Sequence, residues 1–230
     1  MKLGFFTMPL HPPGSLHHET LHDDLEQIVL LDKLGFQEAW IGEHFTSEWE
    51  NIPAPDLFIA QASGLTDNII LGTGVTCMPN HNPFILANRI AQLDHMAKGR
   101  LHWGVGSGGF PGDFEVFGFD FESGENKAMT REALDCVLGI WDDPKPGKYS
   151  SDWWDFNIPE TDDWIGVKYH IPPYQKPHPP ILMGGATEMS LKRVARYCDG
   201  WMPIDALLEN PAAMITKMNE ILSEEGRNSK

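Results

Sequence analysis

Apolar residues recur along the chain in two alternating patterns. Short runs rich in β-formers are followed by longer stretches with the three-to-four-residue spacing of an amphipathic helix. The first run, residues 3–8, leads through a Pro- and Gly-rich turn into a helix expected over residues 20–34. There Leu21, Leu25, Ile28 and Leu31 share one face, Thr20 with Asp23 reads as a capping box, and Gly35 suits a left-handed helix end. Residues 38–42 form a second run, with a helix near 55–63; residues 69–75 form a third, apolar enough to be buried on both faces. Its helix opens at Asn82-Pro83, with Asn as cap and Pro in the first turn, and closes at Gly99. Runs at 101–105, 181–183 and 200–203 precede helices expected over 127–141, 188–198 and 211–225.

Six β-then-α units with short connections predict a parallel sheet with right-handed crossovers. Two architectures produce that pattern, a (β/α)8 TIM-type barrel and an open doubly wound sheet. The open sheet calls for a phosphate-binding glycine fingerprint after its first strand. Here that position holds Met8-Pro9-Leu10-His11-Pro12-Pro13, so the α/β barrel is preferred, with about six of its eight units present. Residues 1–230 read as one incomplete barrel domain. The exception to the short connections is 142–180, an inserted segment carrying Tyr149, Trp153, Trp154, Trp164, Tyr169 and Tyr174 among prolines. It reads equally as a lid over the active face or as a packed surface hairpin.

Composition narrows the function class. With 41% apolar and 22% charged residues the chain is ordinary for a globular domain. A net charge of −16 argues against nucleic acid or an anionic membrane as partner. No apolar run reaches the roughly 18–20 residues of a membrane span, and the N-terminus lacks a signal-peptide pattern, so a cytoplasmic protein is expected. Cys77, Cys136 and Cys198 are too scattered for a disulfide framework or a Cys-x-x-Cys motif.

Ligands of parallel α/β folds sit at the C-terminal ends of the strands. The residues there are Met8 and His11, Glu43 and His44, Gly74, Val75 and His81, Gly106 through Phe110, and Gly184 through Thr187. Gly184-Gly185-Ala186-Thr187 runs straight into a helix, where exposed N–H groups and the helix dipole favour an anion such as a phosphate. Gly104 to Gly109 carries the letters of a dinucleotide fingerprint, which a tight turn explains as well. A histidine titrating near neutrality is a natural proton carrier. His81 is expected to be a loop residue bonded to backbone, and His17, His18 and His22 a solvated helix entrance. The histidines lie on loops of different length, so no metal site is expected.

Several segments together resemble the bacterial luciferase-like flavin monooxygenases. They are Gly35 to Phe45, Leu71 to Val75 with Met78-Pro79 and Asn82-Pro83, Leu93 to Arg100, Asp113 to Gly118, and Gly184-Gly185 with Tyr197 to Trp201. The opening Phe5 to Ser15 is most similar to the limonene monooxygenase branch. The resemblance implies a TIM barrel that binds reduced FMN at the strand C-terminal face, fed by a separate flavin reductase. O2 would form a flavin C4a-hydroperoxide that oxidises a hydrophobic small molecule. His44 matches the family's catalytic histidine. Gly74-Val75 matches the dipeptide beneath the isoalloxazine, joined in the family by a non-prolyl cis bond. Gly185, Ala186 and Thr187 match the phosphate turn, with Gly184 opening it. Gly106 stands where luciferase proper has a reactive cysteine, and Ser107 where it has a phosphate-gripping arginine. Light emission is therefore not expected, and Arg193 is the candidate replacement cation. Met8, His11 and Phe110 are the substrate-lining candidates.

The resemblance also implies a homodimer and about another hundred residues, so the sequence is expected to be either a fragment or a reduced barrel. Two alternatives stay open: a deazaflavin (F420-type) oxidoreductase working by hydride transfer, and a non-catalytic flavin-binding remnant.

Overall fold

Strand β1 (Gly4–Thr7) lies parallel to β2 (Glu38–Ile41), which pairs in turn with β3 (Ile70–Thr73). The computed structural model describes residues 3–120, 122–167, 171–204 and 210–227, so Tyr169 lies outside the described residues. Beyond β3 the sheet continues through β5 (Leu101–Gly106), β8 (Ile181–Met183) and β9 (Gly200–Trp201), every pairing parallel. The strand order never reverses along the chain. A doubly wound sheet has such a reversal at its switch point; a barrel does not. The expected apolar run 69–75 ends early, because the chain breaks after Thr73 and resumes as the two-residue β4 (Thr76–Cys77) against β5.

Alternation along the strands separates two faces. Ala39, Ile41, Leu71, Leu101, Trp103, Val105 and Ile181 are buried under the helices and form the core with Ile28, Ile59, Ile90 and Leu134. The opposite face sets Gly72, Gly104 and Gly106 among the larger Phe6, Trp40, His102 and Leu182. A side chain at Gly72 would collide with the Trp40 ring, and one at Gly104 with the Thr73 carbonyl. These glycines let bare backbone approach its neighbours closely.

The helices are α1 (His17–Lys33), α2 (Pro55–Ser63), α3 (Pro83–Met96), α4 (Pro111–Phe117), α5 (Glu125–Asp142), α6 (Glu188–Tyr197) and α7 (Pro211–Glu224). Asn82 caps α3 as expected, accepting from the Phe84 and Ile85 amides. Two expectations for α1 fail. It begins three residues early at His17, so Thr20 is not a cap; its hydroxyl donates to the His17 carbonyl inside the first turn. Leu25, Ile28 and Leu31 are buried, but Leu21 stays 39% exposed where the helix extends past the sheet. The short α4 was not expected, since seven residues give too few apolar repeats to show a period.

Segment 142–180 contains an antiparallel hairpin, β6 (Gly147–Ser150) with β7 (Asp155–Ile158). Tyr149 stacks on Phe156, Phe156 meets Phe84 of α3, and the Tyr149 hydroxyl donates to Glu132 of α5. The hairpin thus packs on the helix layer, with Trp154 and Ile158 buried.

Candidate active site

His44 follows β2 on a loop tied back by its own amide, which donates to the Ile52 carbonyl. Its ring is largely buried between two carboxylates. Asp113 Oδ2 lies 3.6 Å from Nδ1 and Glu50 Oε2 lies 3.5 Å from Nε2. Among the described residues Nδ1 has no hydrogen-bond partner, so the ring is held close to charge without being tied by a bond. Phe110 packs on the imidazole at 4.9 Å between ring centroids.

Asp113 is the residue that sequence reasoning passed over. It stands in the first turn of α4, is 5% exposed, and accepts from the Phe45 amide, the Thr46 amide at 2.8 Å and the Thr46 hydroxyl at 2.6 Å. A buried carboxylate is tolerated when donors converge on it like this. One acid therefore sets both the 44–46 loop and the field at His44 Nδ1. The available signal was its place in the Asp113 to Gly118 segment, which marked resemblance without indicating a role.

The neighbouring Glu43 is also buried, and His81 Nε2 lies 3.0 Å from its carboxylate. The His81 amide does bond backbone, donating to the Met78 carbonyl, but its ring goes to the buried Glu43 carboxylate, a partner the expectation left out. Cys77 sits behind this pair, its thiol pushed well above the ordinary range by burial and then by the Glu43 and Asp113 charges. It is not a nucleophile.

The floor of the site is glycine. The Gly74–Val75 bond is cis, as the resemblance implied. A Cβ on Gly74 would lie 2.8 Å from the Phe6 ring, and one on Gly106 would lie 2.5 Å from Val75 Cγ2. Any side chain at Gly106 competes with Val75 for space. Met8 reaches across from the end of β1 and lies against Gly42, beside the Gly74 carbonyl. His44, Phe110, Met8, Gly74, Val75 and Gly106 are therefore gathered at one end of the sheet. His11 does not join them as a substrate contact. It is 3% exposed, and both ring nitrogens are engaged, by Asp24 and Asn51.

Beside this floor, the Ser107 hydroxyl accepts from Thr130 at 2.8 Å and its carbonyl accepts from Asn126. The Asn126 side-chain oxygen, Oδ1, is buried without a partner among the described residues. Gly184 to Thr187 then enters α6, with Gly185 at φ +120° and its carbonyl bonded by Trp201 Nε1. Thr187 and Ser190 form a reciprocal capping box that satisfies two of the helix's end donors, leaving the other first-turn amides for an anion. Arg193, one turn on, is half-buried. Burial lowers its pKa, and the charge of Arg131 lowers it further. A cation near a helix N-terminus suits a phosphate.

The whole of residues 1–230 matches the model of the luciferase-like monooxygenases. The chain belongs to this family. It is 39% identical over 157 residues to 4-hydroxyprotoasukamycin monooxygenase of Streptomyces nodosus subsp. asukaensis, covering 68% of this chain and 42% of that protein. It is 38% identical over 137 residues to limonene 1,2-monooxygenase of Rhodococcus erythropolis, covering 60% and 35% respectively. The chain thus spans less than half the length of either curated relative. Among solved structures, the oxygenating constituent of 3,6-diketocamphane monooxygenase from Pseudomonas putida, a type II Baeyer-Villiger enzyme in complex with FMN, superposes with a TM-score of 0.90 at 26% identity. It covers all of this chain and 64% of its own. An F420-dependent secondary alcohol dehydrogenase superposes with a TM-score of 0.78 at 22% identity, a likeness of fold alone. Among the described residues no helix is long and apolar enough to cross a membrane.

Proposed function

We propose that this chain carries the flavin site of an FMN-dependent monooxygenase that oxidises a hydrophobic small molecule. The observation that carries the reading is His44, flanked by Asp113 and Glu50, at the same end of the sheet as Gly74 and Gly106, where Phe6 and Val75 pack into the space that side chains at those glycines would take. That close packing gives a planar ring a flat surface to lie on. The phosphate end is served by the Gly185-Ala186-Thr187 turn, the Ser107 hydroxyl and Arg193, so the residues present fit a flavin mononucleotide. When bound, the reduced flavin supplies two electrons and the means to split dioxygen, one oxygen atom going to substrate and the other to water.

The chain's own residues do the rest. His44 moves a proton at Nε2 or Nδ1, with either acid able to stabilise the protonated ring. Asp113 holds the loop that positions it. Phe110 and Met8 present apolar surface to the substrate and keep water from the reacting face. Supply of reduced FMN by a separate reductase, and assembly as a homodimer, belong to the same reading.

The test is to mix the protein with photoreduced FMN and 18O2 in the presence of monoterpenes and bicyclic ketones. One labelled oxygen atom per product molecule is expected. Absence of label, together with hydride transfer from a reduced deazaflavin, would overturn the reading in favour of the oxidoreductase alternative.

A further inference from the structure

His11 is a buried ring tied to two different elements. Its Nε2 lies 2.7 Å from Asp24 Oδ2 on α1, and its Nδ1 lies 2.5 Å from Asn51 Oδ1 on the loop after β2. Its own amide donates to the Trp49 carbonyl at 2.6 Å. Asn51 is held on its own loop in turn, its Nδ2 donating to the Glu48 carbonyl at 3.3 Å. One residue thus links α1 to the loop of residues 48–52 through two side-chain bonds and a backbone bond.

The consequence reaches the site. Glu50 adjoins Asn51, its amide donates to the Ser47 hydroxyl, and its carboxylate stands 3.5 Å from His44 Nε2. We propose that His11 is a positioning residue: bonded to both Asp24 and Asn51, it fastens residues 48–52 to α1 and so sets the Glu50 carboxylate against His44. The polar side chains that meet its ring among the described residues are Asp24 from α1 and Asn51 from the second loop. Its effect on turnover rests on the monooxygenase reading; its hold on the loop does not.

Two measurements test it. The first is amide exchange with the His44 ring resonances, and the second is turnover beside FMN affinity. In His11→Phe, amides 48–52 should exchange with solvent at least tenfold faster and the His44 ring resonances should move. Oxygenation by this variant should fall about tenfold or more through misplacement of the reacting groups. FMN affinity should stay within about twofold, because no FMN-binding group has changed. Unaltered exchange and unaltered His44 resonances would overturn the proposal. If neither protein oxygenates any substrate, the functional reading fails while the ring and exchange data still decide the role of His11. Should His11→Phe not fold, Asp24→Asn carries the same exchange measurement.

Discussion

The two ends of the sheet are built on opposite principles. At the N-terminal end several polar side chains each hold distant segments through multiple hydrogen bonds. Arg100, just before β5, donates to the Ser63, Thr66 and Ile69 carbonyls and to the Thr66 hydroxyl. Asp32 accepts from three successive amides, Asp67 to Ile69, and the fully buried Asp94 takes both the amide and the side chain of Gln175. At the C-terminal end His44 Nδ1 and Asn126 Oδ1 are buried without partners among the described residues, and the half-buried Arg193 feels the like charge of Arg131. An unsatisfied buried polar group costs about 1–3 kcal/mol. The tight end supplies the stability that lets the other end keep groups unpaired for a ligand. The motif Leu93 to Arg100, which helped to carry the family resemblance, thus belongs to structure, while the chemistry lies some fifteen ångströms or more along strands about 3.3 Å per residue in rise.

Substitutions at the two ends should separate these roles. His44→Ala should lower turnover by roughly 10²–10⁴-fold with little change in the thermal midpoint, read by steady-state oxygenation beside calorimetry. Arg100→Ala should do the reverse. Stripping the guanidinium from its carbonyls should cost about 3 kcal/mol in urea unfolding, with turnover of the remaining folded protein unchanged. Loss of activity without loss of stability there would break the contrast. Gly106→Ala tests the boundary between the two regimes. Its Cβ would stand 2.5 Å from Val75 Cγ2, so the floor must shift at a cost of about 1–3 kcal/mol. FMN titration should show weaker binding by about tenfold.

The smallest effect concerns Asp32. Burial raises its pKa, but the three backbone amides and then Arg100 outweigh it, so the carboxyl lies below its usual value. A depressed folded value contributes stability above the unfolded pKa, which is lost as pH falls through the folded one. Asp32→Asn should therefore flatten the acid limb of stability below about pH 4. An identical pH profile of urea midpoints in both proteins would remove Asp32 from the tight end.

Local patterns were legible where local physics decides. The apolar run of β8, the helix of residues 55–63 and the Asn82 cap lie where spacing and capping chemistry put them, because each depends on residues a few positions apart. Thr20 misled for the same reason. Its spacing to Asp23 is right for a capping box, but contacts elsewhere start α1 at His17. The short α4 left no periodic trace, and so Asp113 had no element to stand on in the sequence. His44, Gly74 and Val75 were recognisable by resemblance, whereas the Glu43–His81 pair and the burial of His11 join residues 38 positions apart or link three separate segments.

By itself the sequence determined the alternation of strands and helices, the parallel order that follows from it, and the family. Those rest on periodicity and on short motifs, which survive in one dimension. Only the tertiary structure decided which polar groups are satisfied. A carboxylate or imidazole takes its role from what stands within about 3 Å, and those partners arrive from distant parts of the chain.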